Sequence, residues 1–134
     1  MDQGWDKGKQ PVQIGKRDAT RMFYDRRFQI WEYKVSHQQL LIRSPKSQDH
    51  ATNLDLIFVG VDYLALPKFM DGISIVPPDE GEVEFASAFA SQVSQVIVLE
   101  TGGKRHMVIA AKFRVFENDL DLFESSLESF NTPP

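Results

Sequence analysis

The sequence predicts a mainly β protein of the α+β class, with about seven mostly antiparallel strands that form a barrel or a strongly bent sheet. Runs rich in β-branched and aromatic residues alternate with short turn signals, and no βαβ pattern repeats along the chain. An amphipathic pattern near the C-terminus predicts a helix that packs on this sheet.

The domain organisation follows from length and composition. The 134 residues are sufficient for one domain with a substantial core. Residues 1–20 contain little apolar material and several basic residues, so we predict a flexible basic N-terminal arm, followed by a single β-rich globular domain over residues 21–134. The chain has no cysteine, which excludes disulfides and thiolate metal sites. With no apolar signal region and no run of about 20 apolar residues, we expect a cytoplasmic protein without membrane insertion.

The charge is divided unevenly between the two parts of the chain. Residues 1–46 contain ten Lys and Arg against five acidic residues, whereas residues 47–134 contain five against fourteen. The basic part could attract nucleic acid, or the two parts could attract each other within one domain or between protomers. We favour the second interpretation, because the chain is acidic overall and carries no nucleic-acid-binding motif.

The longest apolar run, Leu54–Leu66, predicts the central strand, and Pro67 closes it. Gly60 lies in its middle, and a glycine inside a strand indicates a bulge or a sharp bend. We therefore predict two pieces, 54–59 and 61–66, bent against each other. The bend also turns Asp62 away from the face that carries the apolar side chains.

Two hairpins and one short strand account for the other predicted strands. Turn signals lie at Ser36-His37, at Asp71-Gly72 and at Gly102-Gly103, where glycine supplies positive φ angles. The strands predicted around these turns are Phe28–Val35, Gln38–Arg43, Ile73–Val76, Val96–Glu100 and Arg105–Phe116.

Residues 79–94 fit two interpretations. Asp79 and Glu82 have the spacing of a capping box, and Phe85, Phe89 and Val93 recur every four residues, which indicates a second short helix near 80–92. The three apolar residues also share one parity, as a strand requires. The alanine-rich filling favours the helix.

The C-terminal helix is predicted to begin after Asn118, a good N-cap residue. One apolar stripe follows, formed by Leu120, Phe123, Leu127 and Phe130. Seven antiparallel strands and a capping helix are similar in layout to pleckstrin-homology-like barrels, although no motif accompanies the layout. Lipid-binding members use a long basic loop between the first two strands, and the predicted turn at Ser36-His37 leaves no room for one.

The search for catalytic motifs is negative. The sequence has no Walker loop, no Gly-x-Ser-x-Gly elbow and no His-Glu-x-x-His motif. His37, His50 and His106 have no second ligand at metal spacing. We therefore predict no catalytic residue, no metal and no cofactor.

Five residues are candidates for a binding site: Asp62, Trp31, Tyr33, Arg43 and His106. Asp62 is either a general base or ligand anchor with a raised pKa, or a structural group that accepts hydrogen bonds at the bend or pairs with Arg43. We favour the structural interpretation. Trp31 and Tyr33 share a strand face and could form a platform for a base or ligand, although strand aromatics more often belong to the core. His106 flanks the glycine turn.

We expect a non-enzymatic binding or protein-interaction domain whose partner is another protein or a second copy of the chain. The negative search, the divided charge and a sheet edge open to strand addition motivate this hypothesis. An acidic inhibitor or immunity-type protein that uses residues 79–128 against a basic partner would fit. The alternative is a barrel that binds a small molecule as carrier or enzyme, with Asp62, Tyr63, Trp31 or His106 at the pocket.

Overall fold

A computed structural model of the chain describes residues 22–121 and 124–127. The predicted N-terminal arm therefore lies outside the described residues. The described elements are β1 (Met22–Lys34), a 3-10 turn (Val35–His37), β2 (Gln39–Ser44), β3 (Asn53–Ala65), β4 (Phe69–Val76), α1 (Glu80–Ala86), β5 (Gln95–Thr101) and β6 (Lys104–Asn118). None of the described helices is long and apolar enough to cross a membrane.

The six described strands close into a barrel in the order β1-β2-β3-β6-β5-β4, and every neighbouring pair is antiparallel. This confirms the mainly β, antiparallel and ring-like sheet, whereas the prediction of seven strands is not confirmed. Each of these six strands has a neighbour on both sides, because β1 pairs with β4. The ring therefore removes the edge strand on which strand addition was predicted.

The barrel interior is filled with apolar side chains. Phe28, Leu40, Leu56 and Phe58 have no solvent exposure and belong to one continuous cluster. The rings of Phe58 and Phe113 stack inside it, with their centroids 4.9 Å apart. Burial of this apolar surface provides the main stabilisation of the fold.

Gly60 interrupts the side-chain alternation of β3, as predicted. Its φ angle is 71°, and an added Cβ atom would lie 2.9 Å from the Cβ of Ala111. Phe58 and Val61 both contribute to the interior cluster, although they are three residues apart and would face opposite sides of a regular strand. The pairing with β6 shifts register between Val61 and Tyr63, which leaves Asp62 exposed on the outside. The two predicted pieces form one continuous strand.

The local turn and cap predictions have mixed outcomes. Both hairpins are confirmed, and Gly102 and Gly103 have positive φ angles at the second turn. The capping box is also confirmed, with Asp79 as the N-cap of α1. The predicted turn at Asp71-Gly72 is wrong, because β4 begins at Phe69 and Gly72 lies within it with a φ angle of 78°. At this point Asp25 and Arg26 of β1 lie opposite Gly72 alone, so the extra residue of the bulge belongs to β1.

The prediction of a helix that begins after Asn118 is not confirmed. Asn118 is the last residue of β6, and its buried side chain bonds to other strands instead of capping a helix. Residues 119–121 and 124–125 are not helical, and the later part of the predicted helix lies outside the described residues. Leu127 is fully buried on the outer face of the barrel, where it belongs to a cluster with Leu41, Ile57 and Phe116. The C-terminal segment therefore packs on the sheet.

Candidate functional site

Three aromatic rings form a cluster on the outside of the barrel. Tyr63 comes from β3, Phe85 from α1, and Phe89 from the turn that follows α1. The ring centroids are 5.4 Å apart for Tyr63 and Phe85, 4.7 Å for Tyr63 and Phe89, and 5.2 Å for Phe85 and Phe89. Phe85 and Phe89 are each 45% exposed. We call Tyr63, Phe85 and Phe89 the aromatic patch.

Asp62 fixes the segment that carries Phe89. One of its carboxylate oxygens accepts hydrogen bonds from the backbone N–H of Ser91, at 3.1 Å, and from the hydroxyl of Ser94. These bonds, first the one from Ser94, lower the pKa of the exposed Asp62 carboxyl. The hypothesis of a general base with a raised pKa is therefore wrong in its direction. In this geometry Asp62 accepts structural hydrogen bonds next to the patch.

Glu82, a residue of α1, anchors the first turn of this helix. Arg105 donates two hydrogen bonds to its carboxylate, at 2.8 Å and 2.9 Å, and a third to the carbonyl oxygen of Pro77. The bond from Arg105 lowers the pKa of Glu82, and the same bond raises the pKa of Arg105. The backbone N–H of Asp79 also donates to Glu82, which completes the capping box. The short helix is thus held at its first turn and to the second hairpin.

The surroundings of the aromatic patch are acidic and apolar. Glu80, the first residue of α1, and Glu84, which precedes Phe85, are both exposed. Val83 and Val93, in the same connection between β4 and β5, are 51% and 73% exposed. Single exposed apolar side chains scattered over a surface are normal and need no explanation, whereas a contiguous exposed apolar patch indicates an interaction site. Here the large apolar side chains lie together in one exposed segment with acidic neighbours.

A second polar cluster is buried beneath the C-terminal segment. Arg43 and Asp55 have no exposed side-chain surface and form an ion pair of 2.7 Å. Arg43 also donates to the carbonyl oxygen of Glu124, and the side chain of Asn118 donates to Asp55. The hypothesis that Asp62 pairs with Arg43 is therefore wrong, since Asp55 is the partner. The cluster connects strands and C-terminal segment without offering a surface to a ligand.

The remaining predicted site residues are not brought together with Asp62. The guanidinium carbon of Arg43 lies 5.2 Å from the centroid of the Trp31 ring, a cation–π contact at the outer cluster. Because β1 shifts register between Ile30 and Glu32, Tyr33 pairs with Leu40 and lies on the same face of the sheet, the one that faces the barrel interior. Trp31 and Tyr33 therefore do not form a common platform.

His106 is half-buried opposite Leu99 in the second hairpin. Among the residues that the structure describes, no group of three or more His, Asp or Glu side chains could hold a metal ion.

An open cleft of about 550 Å³ lies elsewhere, between β1, the β2–β3 loop and the start of β4. Arg26, Arg27, Asp49, His50 and Phe69 contribute to its lining, whereas the predicted pocket residues do not. Burial lowers the pKa of Arg26, whose guanidinium donates to the hydroxyl and carbonyl of Ser44 and to the carbonyl of Thr52. Arg26 thus fastens the loop to the barrel.

Comparisons of the chain with protein-family models, with curated proteins and with solved structures gave no match. The candidate site is therefore defined by geometry alone. The four-residue spacing of Phe85 and Phe89 in the sequence indicates a helix and gives no sign of a binding surface. The exposure of these rings could not be recognised, because an apolar face on a predicted helix normally indicates the core side.

Proposed function

We propose that the chain is a non-enzymatic protein-interaction domain that binds its partner through the aromatic patch. The observation that carries this proposal is the pair of adjacent phenylalanine rings, Phe85 and Phe89, each 45% exposed on an anchored segment. Aromatic side chains, phenylalanine included, are enriched at protein interfaces relative to the rest of the surface. Their burial by a partner would remove a large apolar surface from water.

The anchoring of the patch supports this proposal further. Asp62 holds the turn that carries Phe89, and Glu82 holds the first turn of α1 through Arg105. Binding therefore requires little ordering of the backbone, and each side chain that is already in place reduces the entropic cost of association. A ring on an unanchored loop would not have this lower entropic cost, because the loop would have to become ordered on binding.

The charges beside the patch specify the chemistry of the partner. Glu80 and Glu84 are exposed acidic residues on the helix that carries Phe85. A partner that combines apolar side chains with neighbouring Lys or Arg would complement both features, and opposite charges at the rim favour encounter and register. The expectation of an acidic domain that faces a basic partner through residues 79–128 is retained in this narrower form.

The test is capture with matched variants, followed by a binding measurement with the purified partner. Wild-type protein, Phe85→Ser/Phe89→Ser and Val35→Ser serve as baits in a lysate of the source cells. Val35 is 75% exposed and lies in the 3-10 turn, so its substitution controls for the loss of exposed apolar surface. We expect a stoichiometric partner that wild type and Val35→Ser retain and the double variant loses.

Isothermal titration with the purified partner then quantifies the effect. Loss of two central aromatic contacts, each worth about 2 kcal/mol at a hot spot, should weaken the affinity by at least about 100-fold. Equal affinity of wild type and the double variant for the partner would contradict the proposal. So would the lack of any stoichiometric partner for wild type. Denaturant unfolding of both variants confirms beforehand that they are folded.

A further inference from the structure

We infer that the aromatic patch of one molecule binds the face formed by Arg27, Lys68 and Phe69 in a second copy of the same chain. This inference rests on the proposed function and names the partner of the same site. We call Arg27, Lys68 and Phe69 the cation–aromatic face.

The cation–aromatic face is an exposed surface formed by β1, the first residue of β4 and the residue that precedes it. Phe69 is 49% exposed, and two cations lie over its ring. The guanidinium carbon of Arg27 is 5.5 Å from the ring centroid, and the amino nitrogen of Lys68 is 5.2 Å from it. Arg27 and Lys68 are themselves exposed. The face therefore presents one aromatic ring flanked by two positive charges.

This face has the chemistry that the aromatic patch requires of a partner. The patch presents two exposed phenylalanine rings, and α1, the helix that carries Phe85, also exposes Glu80 and Glu84. Packing of Phe69 against the exposed side of these two rings would bury apolar surface on both molecules, and its cations would face the acidic helix α1. Asp71 lies opposite Arg27 in the pairing of β4 with β1, and its negative charge partly offsets the positive charge of this face. The attraction therefore acts between groups in contact more than through a long-range field.

The two surfaces belong to different ends of β4 in the chain. Phe69 is the first residue of this strand and α1 follows its last residue, while eight strand residues span about 26 Å. No ring contact joins Phe69 to Phe85 or Phe89, whose described ring contacts are with Tyr63 and with each other. A contact between the surfaces therefore involves a second molecule.

Such a contact is heterologous, because each molecule uses a different surface. In a pair of copies, one molecule keeps a free patch and the other keeps a free face, so further copies can add, which produces either a closed ring or a growing chain. The divided charge of the sequence, with a basic part over residues 1–46 and an acidic part over residues 47–134, agrees with attraction between protomers. Arg27 belongs to the first part, and Glu80 and Glu84 to the second.

Two complementary variants test this arrangement by sedimentation velocity. Phe85→Ser/Phe89→Ser removes the patch and keeps the face, whereas Arg27→Glu/Phe69→Ser removes the face and keeps the patch. For wild type and the Val35→Ser control, we expect the sedimentation coefficient to rise with concentration between about 1 μM and about 1 mM, the range of weak association. Each double variant alone should sediment as a monomer at every concentration. An equimolar mixture of the two should form a species of two chains and no larger one, since only one patch and one face remain.

The other outcomes overturn the inference and are distinguishable from failure of the proposed function. Wild type that stays monomeric throughout removes the second copy as partner, although capture of another protein through the patch would still support the proposed function. Self-association that Arg27→Glu/Phe69→Ser retains and Phe85→Ser/Phe89→Ser loses would indicate a symmetric contact between two patches instead. Association that both double variants retain would exclude both surfaces. Unfolding midpoints close to that of wild type confirm that each variant is folded.

Discussion

Arg43 and Asp55 face each other on β2 and β3 and form a two-pronged ion pair from which solvent is excluded. The Nε atom of Arg43 donates to one carboxylate oxygen at 2.7 Å, and an Nη atom donates to the other at 3.0 Å. Asn118 and the carbonyl of Glu124 occupy further hydrogen-bonding positions. The pair thus joins three strands and the C-terminal segment on the outer face of the barrel.

Removal of one member of this pair should destabilise the protein strongly. Asp55→Asn leaves the Arg43 guanidinium buried without a counter-charge, and we expect a loss of about 3–5 kcal/mol in the free energy of unfolding. Arg43→Met/Asp55→Leu removes both charges and should recover much of that loss, because an apolar pair avoids the desolvation cost. Urea unfolding followed by circular dichroism measures both. A double variant as unstable as Asp55→Asn would contradict this account.

Gly60→Ala should destabilise the barrel through two separate effects. The positive φ angle of 71° disfavours any Cβ by about 1–2 kcal/mol, and the added atom would lie 2.9 Å from the Cβ of Ala111. Gly102→Ala is the matched control, since its φ angle is 60° and no atom lies within 4 Å of an added Cβ. We therefore expect Gly60→Ala to lower the urea midpoint more than Gly102→Ala does. Equal effects of the two substitutions would show that the contact with Ala111 has no cost.

The hydrogen bonds to Asp62 should make stability depend on acidic pH. The folded-state pKa of Asp62 lies below its ordinary value of 3.8, so its contribution is present above that value and is lost as pH falls through the lower, folded value. Asp62→Asn should reduce stability near neutral pH and approach wild type at the lowest pH. Ser94→Ala should act in the same direction, since Ser94 is the largest cause of the shift. Urea midpoints measured from about pH 7 down to about pH 2 test this. A gap between wild type and Asp62→Asn that is independent of pH would rule it out.

The ion pair of Glu82 and Arg105 should contribute little by comparison. Their side chains are 16% and 33% exposed, and such pairs contribute up to about 1 kcal/mol. Glu82→Gln removes the charge, while the new amide oxygen can still accept the hydrogen bond from the N–H of Asp79. The loss of stability should therefore come mainly from the ion pair, and it should be smaller in about 1 M salt, which screens the charges. Asp79→Ala removes the N-cap instead and should cost about 1 kcal/mol, and the part that comes from the capping hydrogen bond should persist at high salt. A salt-independent loss for Glu82→Gln would indicate that the hydrogen bonds, and not the charge, stabilise α1.

Local features could be predicted because their causes lie within a few residues of one another. The glycine hairpin at 102–103, the capping box of Asp79 and Glu82, and the irregularity at Gly60 all depend on backbone conformations that particular residue types favour. The antiparallel ring follows from many short strands with turn signals between them. The prediction of a turn at Asp71-Gly72 is wrong although Gly72 has a positive φ angle, because this glycine lies within β4 opposite the bulge of β1.

Only part of the candidate site could be predicted from the sequence, because the exposure of a side chain depends on residues that are far away in the chain. Phe85 and Phe89 have the spacing of a core-facing helix stripe, but they rest on Tyr63 at the surface of a barrel whose interior other strands already fill. One prediction paired Arg43 with Asp62, but the ladder places Asp55 opposite Arg43.

For this protein, the sequence by itself determined the antiparallel strand pattern, the two hairpin turns and the irregular point at Gly60, because these features depend on short-range backbone preferences and on the local alternation of apolar residues. Only the tertiary structure decided the register that pairs Arg43 with Asp55, the use of Asn118 as a strand residue beneath the C-terminal segment, and the exposure of the aromatic patch. Each of these depends on contacts between residues far apart in the chain, and their relative free energies are fixed only when the barrel closes.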